Sequence, residues 1–342
     1  MAKTIIAGPC SVESHEQLRE VTSALAAIPQ VAMIRAGVWK PRTRPGGFEG
    51  LGEPALRWMH ELAQEFGVRY CCEVARPEHV ELCLHYGIYT VWLGARTTAN
   101  PFMVEEICSA LSGSSMHVLV KNPVCPDARL WLGAIERVRG AGIADITAVH
   151  RGFSMYNNQG FRNAPLWEIP MELRHEMPDV PMLCDPSHIG GSRELVEPIA
   201  LAARLLDYDG LMVEVHPHPA DAWTDGNQQL TPDEFSTLLD KYLSAPASAT
   251  DSLSQRLTPL RQQIDDIDHS LLTLLARRMA LSRQIADIKR ELHSPVYQSA
   301  RWADILADRL QLAGDLGLDI DFTREMLEKI HGESVRVQME SK

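Results

Sequence analysis

Over its first 243 residues the chain alternates, eight times, a short β-rich apolar run with an amphipathic stretch of helical period. The runs fall at 3–7, 31–36, 68–74, 90–93, 117–121, 146–150, 180–184 and 210–215. Between them lie stretches such as PALRWMHELAQEFG at 54–67 and SRELVEPIALAARLL at 192–206. Strands that are apolar throughout, rather than at every second residue, are covered on both faces, which is the condition of a parallel sheet. Eight strand–helix units in about 240 residues match a closed (β/α)8 barrel of the TIM type. The rival, a doubly wound open sheet, needs a glycine-rich phosphate turn after its first strand. GPCSVE stands there instead, so the barrel is the expected α/β fold over 1–243.

The texture changes after the small, proline-containing stretch 244–252, SAPASATDS, which reads as a linker. Residues 253–342 form the second expected domain. From 257 to 292 there is no glycine, and the single proline, Pro259, is expected in the first turn of a long helix. Ile264, Ile267, Leu271, Leu274, then Leu281, Ile285, Ile288 and Leu292 recur at steps of three and four, a heptad seam. At 1.5 Å per residue this helix spans about 50–55 Å. Two shorter helices, 299–316 and 322–340, follow around Gly317. An all-α three-helix domain with one overlong member cannot close its own core, which predicts a homodimer through it.

The chain of 342 residues carries a net charge of −12, and residues 1–251 hold 20 basic against 31 acidic side chains. This argues against nucleic acid or an anionic membrane surface as main partner. No apolar run approaches the roughly 20 residues a membrane helix needs. The N-terminus, MAKTIIAGPC, lacks the charged, apolar and cleavage regions of a signal peptide. Seven cysteines without framework spacing fit a reducing compartment, so a cytoplasmic location is expected. The first apolar run opens at residue 3, so no separate regulatory domain is expected before the barrel.

In such a barrel the active site lies at the C-terminal strand ends. Those ends carry Cys10; Arg35, then Lys40 and Arg42; Glu73; Arg96; Lys121; Arg151; Asp185 and His188; and Glu214, with Asp225 in the loop beyond. A single arginine at a loop start is ordinarily a solvated side chain. Six cations converging on one mouth of an acidic domain instead call for a multiply charged anion, such as two phosphates or a phosphate and a carboxylate. Cys10, His188, Glu214 and Asp225 are all metal-ligand types, a mixed S/N/O set suited to a first-row divalent ion. A lone buried cysteine is usually a small hydrophobe. These four, however, fall on strands 1, 7 and 8, which adjoin in a closed barrel.

AGPCSVES, IRAGVWKPRT, LGARTT, CDPSH and MVEVHP, in this order, resemble the 3-deoxy-D-arabino-heptulosonate 7-phosphate synthases (type I beta-like) over residues 3–243. The resemblance implies condensation of phosphoenolpyruvate with erythrose 4-phosphate at the head of the shikimate pathway. It implies Cys10, His188, Glu214 and Asp225 as ligands of one divalent ion, Mn2+ foremost, with Fe2+, Co2+ or Zn2+ as alternatives. Arg35, Lys40, Arg96, Lys121 and Arg151 would hold phosphoenolpyruvate, and Arg42 and Thr43 the aldose phosphate. Lys121 and Glu73 flank the enolate end as candidates for proton delivery. Arg44, where the family often has a small residue, is either a further phosphate contact or a solvated charge. The sister synthase that uses arabinose 5-phosphate has Asn-Arg where this chain reads Lys40-Pro41-Arg42-Thr43. A Schiff-base aldolase built on Lys121 would leave Cys10, His188 and Glu214 unexplained.

Arg278 stands in the heptad gap, where burial of a guanidinium would require an acidic side chain or a bound anion. Lys289, 11 residues on, shares its face to within about 20°, while Arg261 points about 100° away. Ser334 and Gln338, four apart, share a face of the last helix. Arg261, Arg278, Lys289, Arg301, Ser334 and Gln338 at these intervals resemble the all-helical chorismate mutases over 256–340. The resemblance implies arginines clamping the dicarboxylate chorismate, and Lys289 and Gln338 hydrogen-bonding its ether oxygen on the way to prephenate. It also implies Arg261 reaching into a partner's site. The chain departs from the family at Gln298, commonly Asp, and Trp302, commonly Glu. The alternative is therefore a catalytically weak module that dimerises the barrel and senses prephenate. Prephenate feedback on the barrel is expected in either case.

Overall fold

The computed structural model describes residues 3–40, 46–156, 158, 160–245, 251–297 and 299–340. It divides into two compact units, Met1–Ser248 and Ala249–Lys342. In the first, eight parallel strands close on themselves in sequence order. They are β1 (Thr4–Gly8), β2 (Val31–Arg35), β3 (Tyr70–Val74), β4 (Thr90–Leu93), β5 (His117–Lys121), β6 (Ile146–His150), β7 (Met182–Cys184) and β8 (Gly210–Glu214). Closure is made by β1 on β8, Thr4 to Gly8 against Gly210 to Glu214. The expected barrel is thus the observed one. β7 is shorter than its apolar run because Pro181 has no N–H to give the ladder, although its carbonyl accepts from Ala148 N at 2.8 Å. β3 likewise starts two residues late, after the left-handed Gly67 that ends the preceding helix.

The surrounding helices are α1 (His15–Ala26), α2 (Glu53–Phe66), α3 (Pro77–His85), α4 (Ala95–Thr98), α5 (Pro101–Leu111), α6 (Ala128–Gly140), α7 (Glu168–Glu176), α8 (Pro186–Gly190), α9 (Arg193–Leu205) and α10 (Pro232–Ser244). Their spacing explains their docking: α2 buries Ala55, Leu56, Met59 and Leu62, one stripe of an otherwise charged helix. Strands β4, β6 and β8 are buried at every residue, as a sheet walled by helices requires. Gly8 is needed where β1 meets β2: its φ is +149°, and a Cβ there would lie 2.1 Å from the Arg35 carbonyl oxygen.

The second unit holds α11 (Asp251–Glu291), α12 (Ser299–Asp315) and α13 (Ile320–Glu340). The long helix is present, but it begins earlier than expected, so Pro259 lies inside it rather than in its first turn. The residues before Pro259, DSLSQRLT, contain no glycine and continue the helix upstream, leaving the proline's missing N–H as one gap in a 41-residue ladder. The heptad seam does not pack within this unit. From Ile264 to Leu292 its eight residues stay 45–73% exposed. What the unit buries is mostly small: Ser282, Ala286, Ala313, Thr323, Ser334 and Val337.

Candidate active site

The carboxyl ends of the strands surround a mouth lined by Lys40, Glu73, Arg96, Lys121, Arg151, Arg162, His188 and Asp225. Strand geometry explains the convergence, since each of these residues lies at the carboxyl end of a strand or in the segment that follows one. Beneath the mouth lies a buried ionic floor. Asp185 accepts from Lys121 Nζ at 2.7 Å and lies 2.8 Å from His188 Nδ1 and 3.9 Å from Arg35 Nη1. Arg35 Nη2 donates to Glu214 Oε1 at 3.0 Å, and Gln228 Nε2 donates to Glu214 Oε2 at 2.6 Å. Asp185 also caps α8, accepting from His188 N at 3.1 Å, which fixes where His188 stands. Trp92 lies under both Arg35 and Lys121, 5.1 and 5.6 Å from its ring centre.

This wiring sets the charges. Burial works to raise the Asp185 carboxyl, but His188, Lys121 and Arg35 outweigh it and hold it well below the usual range. Burial lowers Lys121, against the pull of Asp185. It also lowers Arg151 to about 10, helped by Arg162 and Arg96 nearby. Asp185 and Asp225 act against that lowering, and Asp225 pairs with Arg162. Lys40 is raised, because Cys10 and Glu214 overcome its desolvation. Glu73, which lines the mouth with Asp225, accepts from Trp92 Nε1 at 3.3 Å. Its carboxylate fits because Gly94 has no side chain: a Cβ there would stand 2.0 Å from Glu73 Oε1.

Ligand atoms of Cys10, Glu214 and Asp225 lie within 4.8 Å of one another. Cys10 Sγ is 3.4 Å from Asp225 Oδ2 and 2.9 Å from Lys40 Nζ. Burial and Glu214 push the thiol up to about 12, whereas a cation between the three would favour the thiolate. This soft-and-hard donor set fits a first-row divalent ion. His188 is not in that three-atom cluster. Its Nδ1 is drawn to Asp185, and its Nε2 sits 3.7 Å from Glu214 Oε1, at the cluster's edge. Asp225, in the left-handed region at φ 52°, is held by Arg162 Nη1 at 3.0 Å. Burial raises it, but Arg162, His188 and Lys40 bring it to about 2.

Of the predicted anion-binding residues, Lys40, Arg96, Lys121 and Arg151 meet at the mouth, while Arg35 is 1% exposed and lies in the floor. Arg42, Thr43 and Arg44 lie outside the described residues. Arg162 and the bridging role of Asp185 were not anticipated. Arg162 sits in an irregular loop with no periodicity to mark it, whereas the CDPSH motif did contain Asp185.

In the helical unit, Arg278 Nη1 donates to Ser334 Oγ and to Ile330 O. Of the acidic side chain or bound anion expected beside Arg278, no acidic side chain pairs with it among the described residues; its side chain remains exposed to solvent and donates to neutral oxygens. Lys289 Nζ donates to Val296 O at 2.5 Å. Gln338 Nε2 donates to Ser334 O at 3.2 Å, which leaves its buried Oε1 without a partner. Arg278 and Gln338 thus meet at Ser334, and Lys289 and Arg278 both act electrostatically on His331 of the same α13 face. Arg261 is exposed and lies about 25 Å along α11 from Arg278 at 1.5 Å per residue, outside the cluster. Arg301 is exposed at the start of α12, and Gln298 lies outside the described residues.

Fold and mouth together define a barrel enzyme for multiply charged anions, with a helical unit attached. The DAHP synthetase I family matches residues 2–245, and chorismate mutase type II matches 260–339. The chain is 33% identical over 238 residues to a phospho-2-dehydro-3-deoxyheptonate aldolase of Thermotoga maritima, covering 70% of this chain and 68% of that one. A crystal structure of a DAHP synthase from that organism superposes with a TM-score of 0.62 at 32% identity, over 70% of this chain and 68% of the other. A 2-dehydro-3-deoxyphosphooctonate aldolase of Bradyrhizobium sp. is 25% identical over 290 residues, covering 72% of this chain and 91% of that one. The helical part is 38% identical over 78 residues to the T-protein of Enterobacter agglomerans, 23% of this chain and 21% of that one. The chain belongs to the DAHP synthetase I family and carries a C-terminal chorismate mutase type II domain. It is an enzyme with an aldol-type synthase activity and an isomerase activity. Among the described residues no helix is long and apolar enough to cross a membrane, and all seven cysteines are free thiols.

Proposed function

We propose that the barrel condenses phosphoenolpyruvate with erythrose 4-phosphate to 3-deoxy-D-arabino-heptulosonate 7-phosphate, and that the helical unit converts chorismate to prephenate. The observation that carries the first half is the crowding of Arg96, Arg151 and Arg162 in one mouth that also holds Asp225, a member of the Cys10, Glu214 and Asp225 donor cluster. Those cations, with Lys40, hold the two phosphates and the carboxylate, and fix both substrates in reach of each other. The enol C3 attacks the aldehyde carbon, water adds at C2, and phosphate leaves by C–O cleavage. Lys121, held by Asp185, and Glu73 hold and move the proton at the enolate end. Cys10, Glu214 and Asp225, with His188 closing the shell, would hold one divalent ion, Mn2+ foremost. When bound, it supplies Lewis-acid polarisation of the aldehyde. Higher identity to the heptonate aldolase than to the octonate aldolase supports the seven-carbon product. Arg42 and Thr43 of the KPRT motif are assigned to the aldose phosphate on sequence alone.

For the helical unit, Arg261, Arg278 and Arg301 would clamp the two carboxylates, with Ser334 contributing a hydroxyl. Lys289 and Gln338 would donate to the ether oxygen, a positional and electrostatic catalysis without covalent intermediate. A second copy of this chain is the occupant we assign to the exposed heptad seam, because eight apolar residues at a/d spacing match a copy of themselves. Sedimentation of the full chain at a single-chain mass at micromolar concentration would remove that assignment. Loss of the family's acid at Trp302 favours the second reading, a weak mutase retained for binding. One pair of assays tests the whole proposal: phosphate release from phosphoenolpyruvate with erythrose 4-phosphate, and loss of chorismate absorbance. Silence in both assays refutes it.

A further inference from the structure

His331 lies on α13 three residues before Ser334 and seven before Gln338, on the face those two share. Its ring stacks on Trp302 of α12, with centroids 3.9 Å apart and planes within 9°, and the Tyr297 ring approaches from the side at 5.9 Å. The stack pins a ring that would otherwise turn freely. Its Nε2 is buried and has no hydrogen-bond partner, as is true of Gln338 Oε1 on the same face. A buried polar atom without a partner is costly, and a vacant ring nitrogen and a vacant amide oxygen on one helix face beside Arg278 and Lys289 point to a ligand that offers an acceptor to the first and a donor to the second. Burial lowers the His331 pKa, with Arg278 and Lys289 adding to the effect. The ring is therefore neutral at pH 7 and close to both cations.

We propose that His331, through its Nε2–H, donates a hydrogen bond to the ether-oxygen side of bound chorismate, replacing the acid that this chain lacks at Trp302. The inference rests on the mutase reading of the helical unit. An acid at position 302 would reach that oxygen only when protonated. A neutral imidazole carries its proton at pH 7 without that requirement, and Trp302, in the acid's place, orients it. The rearrangement breaks the ether C–O bond as the new C–C bond forms in one electron shift. No group leaves, and His331 keeps its proton throughout. Negative charge grows on the ether oxygen only on the way to the transition state, so a donor aimed there raises kcat more than it lowers KM.

The test uses the full chain and two substitutions. His331→Phe keeps a ring to stack on Trp302 and removes the nitrogen; His331→Gln keeps an N–H donor at similar reach and removes the ring. The phenylalanine variant is expected to lose roughly 10-fold to 100-fold in kcat, the scale of one transition-state donor, with helicity unchanged. Its KM should move by less than about threefold, and the glutamine variant should recover most of the lost kcat. A phenylalanine variant with wild-type kcat overturns the inference and leaves the mutase reading standing. So does a loss of helicity in both variants that accounts for their loss of rate. A wild-type chain that does not rearrange chorismate overturns both, a result distinguishable because no variant then has a rate to compare.

Discussion

Lys121 Nζ, at the end of β5, lies 2.7 Å from Asp185 Oδ2, just beyond β7, and both side chains are buried. The pair spans two strands of the barrel floor, and Asp185 simultaneously faces His188 and Arg35. One carboxylate therefore neutralises a proposed proton-transfer group, orients a proposed metal ligand and anchors a floor arginine.

Asp185→Asn would leave Lys121 and Arg35 buried beside a neutral amide. Breaking a buried pair from one side costs about 3–5 kcal/mol. Denaturant unfolding of the barrel, followed by tryptophan fluorescence at pH 7, is expected to show a loss of that size. A loss below about 1 kcal/mol, the range of an exposed pair, would mean that the floor is not organised around Asp185.

Acid should weaken the barrel through His150 at the end of β6. It is fully buried, accepts or donates at Nδ1 with the Tyr208 hydroxyl at 2.9 Å, and burial takes it from 6.5 down to about 3. Its folded value lies below its unfolded one, so the unfolded chain binds the proton first. Stability that is full above pH 6.5 is then lost as pH falls towards 3. At pH 5 the loss is about 2 kcal/mol at 1.36 kcal/mol per pH unit. Urea midpoints at pH 7.5 and pH 5 measure it, and His150→Gln should flatten the difference. An unchanged slope in that variant would assign the acid sensitivity elsewhere.

The fold was largely legible and the site only partly so. Strands β4, β5 and β6 begin and end where their apolar runs do, because burial on both faces leaves an uninterrupted signal. β7 fell short at Pro181, where a missing N–H overrides hydrophobicity. Lys40, Arg96, Lys121, Arg151 and His188 reached the mouth because topology alone puts strand ends there. Arg35 ended beneath the mouth, since its reach is decided by Glu214 across the barrel. Arg162 gave no signal, its loop having neither period nor turn pattern. In the helical unit the seam was plain, but the stacking of His331 on Trp302 joins residues 29 positions apart on different helices, which no local pattern encodes.

Removing divalent metal with EDTA should abolish condensation, and Mn2+ should restore it. Cys10→Ala and His188→Ala should bind less than one equivalent of metal while keeping wild-type circular dichroism. Full turnover in chelated enzyme, or full metal content in Cys10→Ala, would remove the assigned ligands.

Prephenate should inhibit condensation in the full chain. The motivation is chemical: the proposed isomerase product lies downstream of the proposed synthase product, and a ligand shifts an equilibrium only through differential affinity for two states. Linkage then requires phosphoenolpyruvate to weaken prephenate binding by the same factor. Equal inhibition of a chain ending near Ser244 would place the effect in the barrel, and inhibition of neither would leave the fusion without a feedback role.

The most direct measurement of the central claim is kcat/KM for phosphate release with phosphoenolpyruvate and each of two aldoses, erythrose 4-phosphate and arabinose 5-phosphate. The arrangement of Lys40 on Cys10 and the KPRT motif predict a preference for erythrose 4-phosphate of at least about 100-fold, some 2.7 kcal/mol in transition-state binding. Equal use of both sugars, or preference for arabinose 5-phosphate, would contradict it.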